Sequence, residues 1–171
     1  MPKILSVALV LGIAATPVAA QTPPPPPPAA AKAQATAYVR AAGMSDLYEI
    51  TSSKLALQKS RNDDVRRFAQ MMIDHHTRTT AATVRAARQD GLTPTPPRLG
   101  GAEASTGELR RASADAFDRL YIAQQLPAHQ AALDLHQSFA ANGDHPALKA
   151  SAQAAVPIVQ QHIQMLQQMP H

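Results

Sequence analysis

Four side chains able to hold a metal ion or pass a proton fall on the inward faces of four predicted helices: Glu49, His76, His129 and His162. The face assignments come from winding each segment at 100° per residue. In the first helix, Thr51, Lys54 and Gln58 share one side, and Glu49 lies opposite with Ser53, Ala56 and Ser60. The adjacent histidines of "FAQMMIDHHTRT" separate in the same way: His76 joins the stripe of Val65, Phe68, Ala69, Met72, Thr83 and Ala87, whereas His75 falls at its edge. In the third helix His129 lies among Phe117, Tyr121, Ala132 and Phe139, together with Gln125 and His136, and in the fourth His162 lies among Leu148, Ala152, Val159, Ile163 and Leu166. A buried lone carboxylate or imidazole is costly unless it is hydrogen-bonded, paired or bound to a metal.

The depths of the four groups are compatible. Glu49 stands 13 residues before Asn62 and His76 stands 14 after it, so an antiparallel hairpin brings them level. His129 stands 13 residues before Asn142, and His162 stands 16 after Pro146, about one turn out of step. Three imidazoles and one carboxylate suit a single divalent transition ion, Fe, Zn, Cu or Mn, with Gln125 and His136 as outer partners of the ligands. The same residues also suit a non-metal envelope interaction or stress-protection module, whose Glu–His hydrogen-bond network only sets helix register, or separate buried groups each satisfied locally. Di-iron chemistry of the ferritin kind is disfavoured, because it takes about four inward carboxylates and two Glu-x-x-His pairs. Hydrolase chemistry has no foothold: no serine or threonine has a base with an orienting partner, and no Gly-rich phosphate loop is present. The absence of cysteine removes thiolate metal sites and thiol catalysis.

These residues need long helices to carry them, and the chain supplies four. Helical patterns run from Ser45 to Ser60 after a short lead-in at 37–42, from Asp63 to Gln89, from Ser113 to Ala141, and from Pro146 to about Met169. Pro127 and Pro157 predict kinks in the last two. The first and last pairs have short joints and form antiparallel hairpins. Between the second and third helices lies "GLTPTPPRLGGAEASTGELRR", with room for one short helix. A helix of 27 residues spans roughly 40 Å, and 15 extended residues reach roughly 50 Å. The link can therefore travel the length of the bundle and set the third helix parallel to the second; the alternative is a floppy loop between antiparallel helices. The expected fold is all-α, a ferritin-like four-helix bundle with one long crossover, over residues 36–171.

The segment before the bundle has other work. Residues 1–20, "MPKILSVALVLGIAATPVAA", carry a lysine, an apolar run and a small-residue close, the pattern of a signal peptide cut after Ala20. That run is short for a bilayer anchor, no other segment is apolar enough to cross a membrane, and the expected location is periplasmic. Residues 21–35 include six consecutive prolines and are expected to form a disordered spacer. Without Lys3 the mature chain carries 15 Lys+Arg against 12 Asp+Glu, and aromatics are limited to three Tyr and three Phe. That mild positive charge supports weak attraction to an anionic envelope surface and argues against nucleic-acid binding.

The runs "SDLYEITSSKLALQKSRNDDVRRFAQMMIDHHT", "FDRLYIAQQLPAHQAAL" and "PIVQQHIQML" resemble a family of exported bacterial proteins of unknown function. Its members are placed among ferritin-like helical bundles and are often labelled outer-membrane proteins. The family motif carries over onto Glu49, Phe68, Ala69, Met72, His76, Phe117, Asp118, Tyr121, His129 and His162. The family usually has Asp before the helix-two histidine, where this chain has His75. The resemblance implies no established reaction, and helical periodicity is incompatible with an outer-membrane barrel.

Overall fold

The computed structural model describes residues 21–169. The expected signal peptide, residues 1–20, lies outside them. Five α-helices follow in order: α1 (Ala35–Lys59), α2 (Asp63–Gln89), α3 (Glu103–Arg111), α4 (Ala114–Asn142) and α5 (Pro146–Gln168). The fold is an all-α bundle in which α1, α2, α4 and α5 are the long rods.

Local chemistry explains the ends of α2. Asn62 Oδ1 accepts from the backbone N–H groups of Asp64 and Val65, and Asp63 and Asp64 place negative charge in the first turn. At the other end Gly91 takes φ 77°, Leu92 N–H reaches back to Ala87 C=O, and Gly91 N–H to Arg88 C=O. This is a Schellman stop, and glycine supplies its left-handed residue without strain. Two other helix starts are capped from across the bundle. Asp90 accepts from Ala147 and Leu148 N–H at the head of α5, and Asp144 Oδ1 accepts from Ala35 N–H at the head of α1. Lys59 at the end of α1 donates to the carbonyls of Leu109, Arg110 and Ala112, closing the C-terminus of α3.

Side-chain pairs give the helix directions. Tyr38 meets His136, Tyr48 meets Gln124 and Ser53 meets Tyr121, so α1 and α4 are antiparallel. Asp90 meets Leu148 and His75 meets His162, so α2 and α5 are antiparallel as well. It follows that α4 runs the same way as α2. The link that allows this climbs along α1, with Pro97 beside Gly43, Gly100 beside Met44, and α3 ending over Lys59.

Two sequence expectations change here. The first helix begins at Ala35, ten residues earlier than Ser45, and runs unbroken through Gly43. A Cβ on Gly43 would lie 3.1 Å from Pro97 Cβ, so the residue that reads as a helix break is where the crossover presses on α1. The helix propensity lost there, about 1 kcal/mol, is offset by burial of Tyr38, Ala41 and Ala42. The 21–35 segment, expected as a spacer, is in contact with the bundle. Thr22 N–H donates to Glu108, Pro25 packs against Gly101 where a Cβ would come within 2.6 Å of it, and Ala31 is buried in a 3-10 turn (Ala29–Lys32). At the proline positions 127 and 157, α4 and α5 both continue.

The apolar core is divided. One cluster surrounds Tyr38, Leu135, Phe139 and Leu148, and the other surrounds Phe68, Met72, Phe117, Tyr121 and Leu166. Every candidate ligand lies between them along its own helix, so the polar residues form a layer in the middle of the bundle, sealed by hydrophobic side chains at both ends.

Candidate metal centre

The polar layer brings together three of the four residues expected to act. His76 on α2, His129 on α4 and His162 on α5 are 3%, 1% and 0% exposed, and one nitrogen from each lies within 4.8 Å of the others. Their rings form a nearly equilateral triangle, with centroid separations of 5.8 Å for His76–His129, 5.3 Å for His76–His162 and 5.3 Å for His129–His162. The apparent one-turn offset of His162 vanishes in the fold.

Each ring is held by one nitrogen and leaves the other without a partner. His76 Nδ1 bonds Asp46 Oδ1 at 2.8 Å, and His129 Nδ1 donates to the carbonyl of Gln125, one turn back in α4, at 2.8 Å. His162 Nε2 lies 2.9 Å from His75 Nδ1. The remaining nitrogens, His76 Nε2, His129 Nε2 and His162 Nδ1, are buried and make no hydrogen bond. Since Nδ1 of His76 and of His129 faces an acceptor, it carries the hydrogen, and the lone pair lies on Nε2. Metal-binding histidines show this arrangement: the far N–H is anchored on a carboxylate, a carbonyl or another acceptor, which sets the tautomer and the ring angle.

Electrostatics separate the three rings. Burial, reinforced by the charge of His76, pushes His129 down to about 3, and burial with the neighbouring imidazoles pushes His162 down to about 2. Both are neutral bases at any physiological pH. Burial also disfavours the charged form of His76, but the bond to Asp46 and the charge of Asp46, with a smaller contribution from Glu49, outweigh it and raise the net value. His76 is therefore the ring at which a proton competes with a cation. Burial, with Arg78 and His76, lowers the half-buried His75.

Glu49, the fourth expected ligand, is fully buried beside this group. Its Oε1 is 3.7 Å from His129 Nδ1, and its Oε2 has no hydrogen-bond partner. Burial, only partly opposed by His76 and Gln125, raises its carboxyl to about 8, so the acid is neutral near pH 7. The contact with neutral His129 is accordingly not an ion pair. Of the two expected outer partners, Gln125 serves His129 through its backbone carbonyl, while its side chain donates to Ser52. His136 has a different place: its Nδ1 lies 3.0 Å from Tyr38 Oη, in the layer of Phe139, and it contacts none of the three rings.

Asp46 is the residue that sequence reasoning missed. It is 4% exposed, and its Oδ2 accepts from Thr79 and Thr80 at 3.0 and 2.7 Å while Oδ1 holds His76. With α1 expected to begin at Ser45, Asp46 reads as a first-turn acid on an exposed helix start. The true start at Ala35 puts it mid-helix, one turn before Glu49 on the same face. That i, i+3 spacing of two acids is the signal that could have found it. His75, expected as an edge residue, lies at the edge and bonds His162.

The sequence from residue 20 to residue 169 matches a family described as a domain of unknown function, DUF4142. The chain belongs to the DUF4142 family. No curated protein sequence matches it. Among solved structures it is similar to CopM in the Cu(II)-bound form, with a TM-score of 0.66 and 18% identity over 79% of this chain and 94% of that one. At that identity the likeness shows a shared fold.

Proposed function

We propose that this DUF4142 protein holds one divalent transition ion, Cu(II) foremost, on His76 Nε2, His129 Nε2 and His162 Nδ1. The observation that carries the reading is that His76, His129 and His162, on three separate helices, each bring a nitrogen within 4.8 Å of the others, and that each ring keeps one buried nitrogen without a hydrogen-bond partner. A hydrogen-bond network that only sets helix register would join these atoms to one another. Here each ring bonds a residue outside the triad and leaves its other nitrogen bare, at a cost of about 1–3 kcal/mol for each unsatisfied group.

The donor set favours copper on chemical grounds. Three neutral imidazoles with no thiolate suit Cu, Zn, Fe and Ni, and among divalent ions such sites bind Cu(II) most tightly. The Cu(II)-bound form of CopM, a protein of the same fold, supports testing copper first. Glu49 would complete the set as an oxygen donor once a cation lowers its pKa, and Asp46 would anchor His76 through the carboxylate–histidine pairing usual around metals. One ion is expected, because among the described residues the buried carboxylates are Asp46 and Glu49, and Asp46 is already occupied by His76, Thr79 and Thr80.

The metal-free mature chain, incubated with excess Cu(II) and then dialysed, is expected to retain one equivalent by elemental analysis. Retention of no Cu, Zn, Fe or Mn would end the reading. We further propose that the protein is exported and cut after Ala20. The composition of residues 1–20 supports this, and no helix among the described residues is long and apolar enough to cross a membrane. Mass spectrometry of the periplasmic fraction should find Gln21 at the N-terminus, and an intact Met1 there would refute the cleavage.

A further inference from the structure

We propose that His75 is the gate of this centre: it holds His162 in the metal-binding tautomer and stands between the three donors and solvent. The inference rests on the metal-binding reading above. His75 Nδ1 and His162 Nε2 lie 2.9 Å apart, and the two rings are nearly coplanar, 19° between planes with centroids 5.1 Å apart. Rings in that relation are joined edge to edge, with the shared hydrogen in the plane of both.

The tautomer follows from where hydrogens can go. If His162 donates Nε2–H to His75, its Nδ1 keeps a lone pair, in a ring 5.3 Å from each of the other two imidazoles. If His75 donates instead, the hydrogen of neutral His162 moves to Nδ1, a buried atom with no acceptor in reach. The first arrangement is the one able to bind an ion, and it requires an acceptor at the position of His75 Nδ1. A residue there that cannot accept releases both the tautomer and the ring angle.

The position on the helix adds the second part. His76, His129 and His162 are buried, whereas His75 is half-buried, with Asp74 and Arg78 exposed beside it. Its Nε2 bonds no described residue. Of the four imidazoles in the cluster, His75 alone touches both a buried donor ring and the solvent. An ion that reaches the layer from this side passes where the His75 ring now sits.

Three substitutions separate the two roles in the full mature chain. His75→Asn keeps an acceptor near the Nδ1 position, His75→Phe keeps a ring but no acceptor, and His75→Ala keeps neither. Cu(II) affinity, measured by competition with a chelator, is expected to fall about 10–100-fold in the Phe and Ala variants and to stay close to wild type in the Asn variant. The Cu(II) association rate in stopped flow should be severalfold faster in the Ala variant, despite its weaker binding, and unchanged in the Phe variant. Circular dichroism melts confirm that each variant folds. Equal affinity loss in the Asn and Ala variants would overturn the positioning role, and an unchanged association rate in the Ala variant would overturn the gate. Failure of the wild-type chain to bind copper would instead sink the metal reading itself.

Discussion

Replacing His76 with alanine is expected to abolish retention of copper. The substitution removes one of three donor nitrogens, a larger loss than that of an outer partner, which by itself costs about 10–100-fold in affinity. It also removes one partner of a buried pair, since Asp46 Oδ1 loses the ring at 2.8 Å. Breaking such a pair destabilises by about 3–5 kcal/mol when the remaining charge is left alone. Thr79 and Thr80 still donate to Asp46 Oδ2, so the cost should fall at or below the lower end of that range, and the bundle should stay folded at 25 °C. His162→Ala provides an independent check, because His162 has no carboxylate partner and its loss leaves Asp46 satisfied. Both variants should show no copper by elemental analysis after dialysis and retain a helical circular dichroism spectrum. A folded His76→Ala or His162→Ala protein that still carries one equivalent would show that the ion sits elsewhere.

Metal-free protein should be most stable near pH 6.5 and lose stability on both sides. On the acid side, His129, His162 and His136 are held down to about 3, 2 and 4, chiefly by burial. Their folded values lie below the unfolded value of 6.5, so the unfolded chain binds more protons and stability falls as pH drops through 6.5 and beyond. Glu49, raised to about 8, works in the opposite sense. Its folded state keeps a proton that the unfolded chain releases near pH 4.5, so its contribution is complete at low pH and is lost as pH rises toward 8. Between pH 4.5 and 6.5 the three histidines outnumber it, and stability still rises with pH. From pH 6.5 to 8 the Glu49 contribution declines by about 2 kcal/mol, and His76, also raised, declines in the same direction. Urea denaturation midpoints across pH 5–9 measure this curve. The Glu49→Gln variant should keep the acid limb and flatten much of the alkaline one. A wild-type protein whose stability climbs steadily to pH 8 would contradict the burial of a neutral Glu49. Copper should reverse the alkaline trend, because the ion favours the deprotonated forms of the same groups.

Much of this was legible from residue types alone. The stripe on α2 was clear because 27 consecutive residues keep one apolar face and both ends carry recognisable stops, Asn62 and Gly91. The two neighbouring histidines could be told apart for the same reason: one residue of helix turns a side chain by 100°. Asp46 left only a faint trace, its i, i+3 spacing to Glu49, because its burial depends on ten further residues of α1 and on the way Pro97 packs against Gly43. His136 shows the converse error. It lies on the same inward stripe as His129, but two turns along α4 place it in the Tyr38–Phe139 layer, out of reach of the rings.

Helical periodicity was enough to determine an all-α bundle and to point His76, His129 and His162 inward, and the length of the link between α2 and α4 allowed one long crossover. Those are properties of single rods and of chain reach, and they need no knowledge of neighbours. Which nitrogen of each ring is anchored, by Asp46, by the Gln125 carbonyl or by His75, and which is left bare was decided only in the tertiary structure. That outcome depends on the rotation and axial shift of one helix against another, which packing across the whole core sets and no single segment encodes.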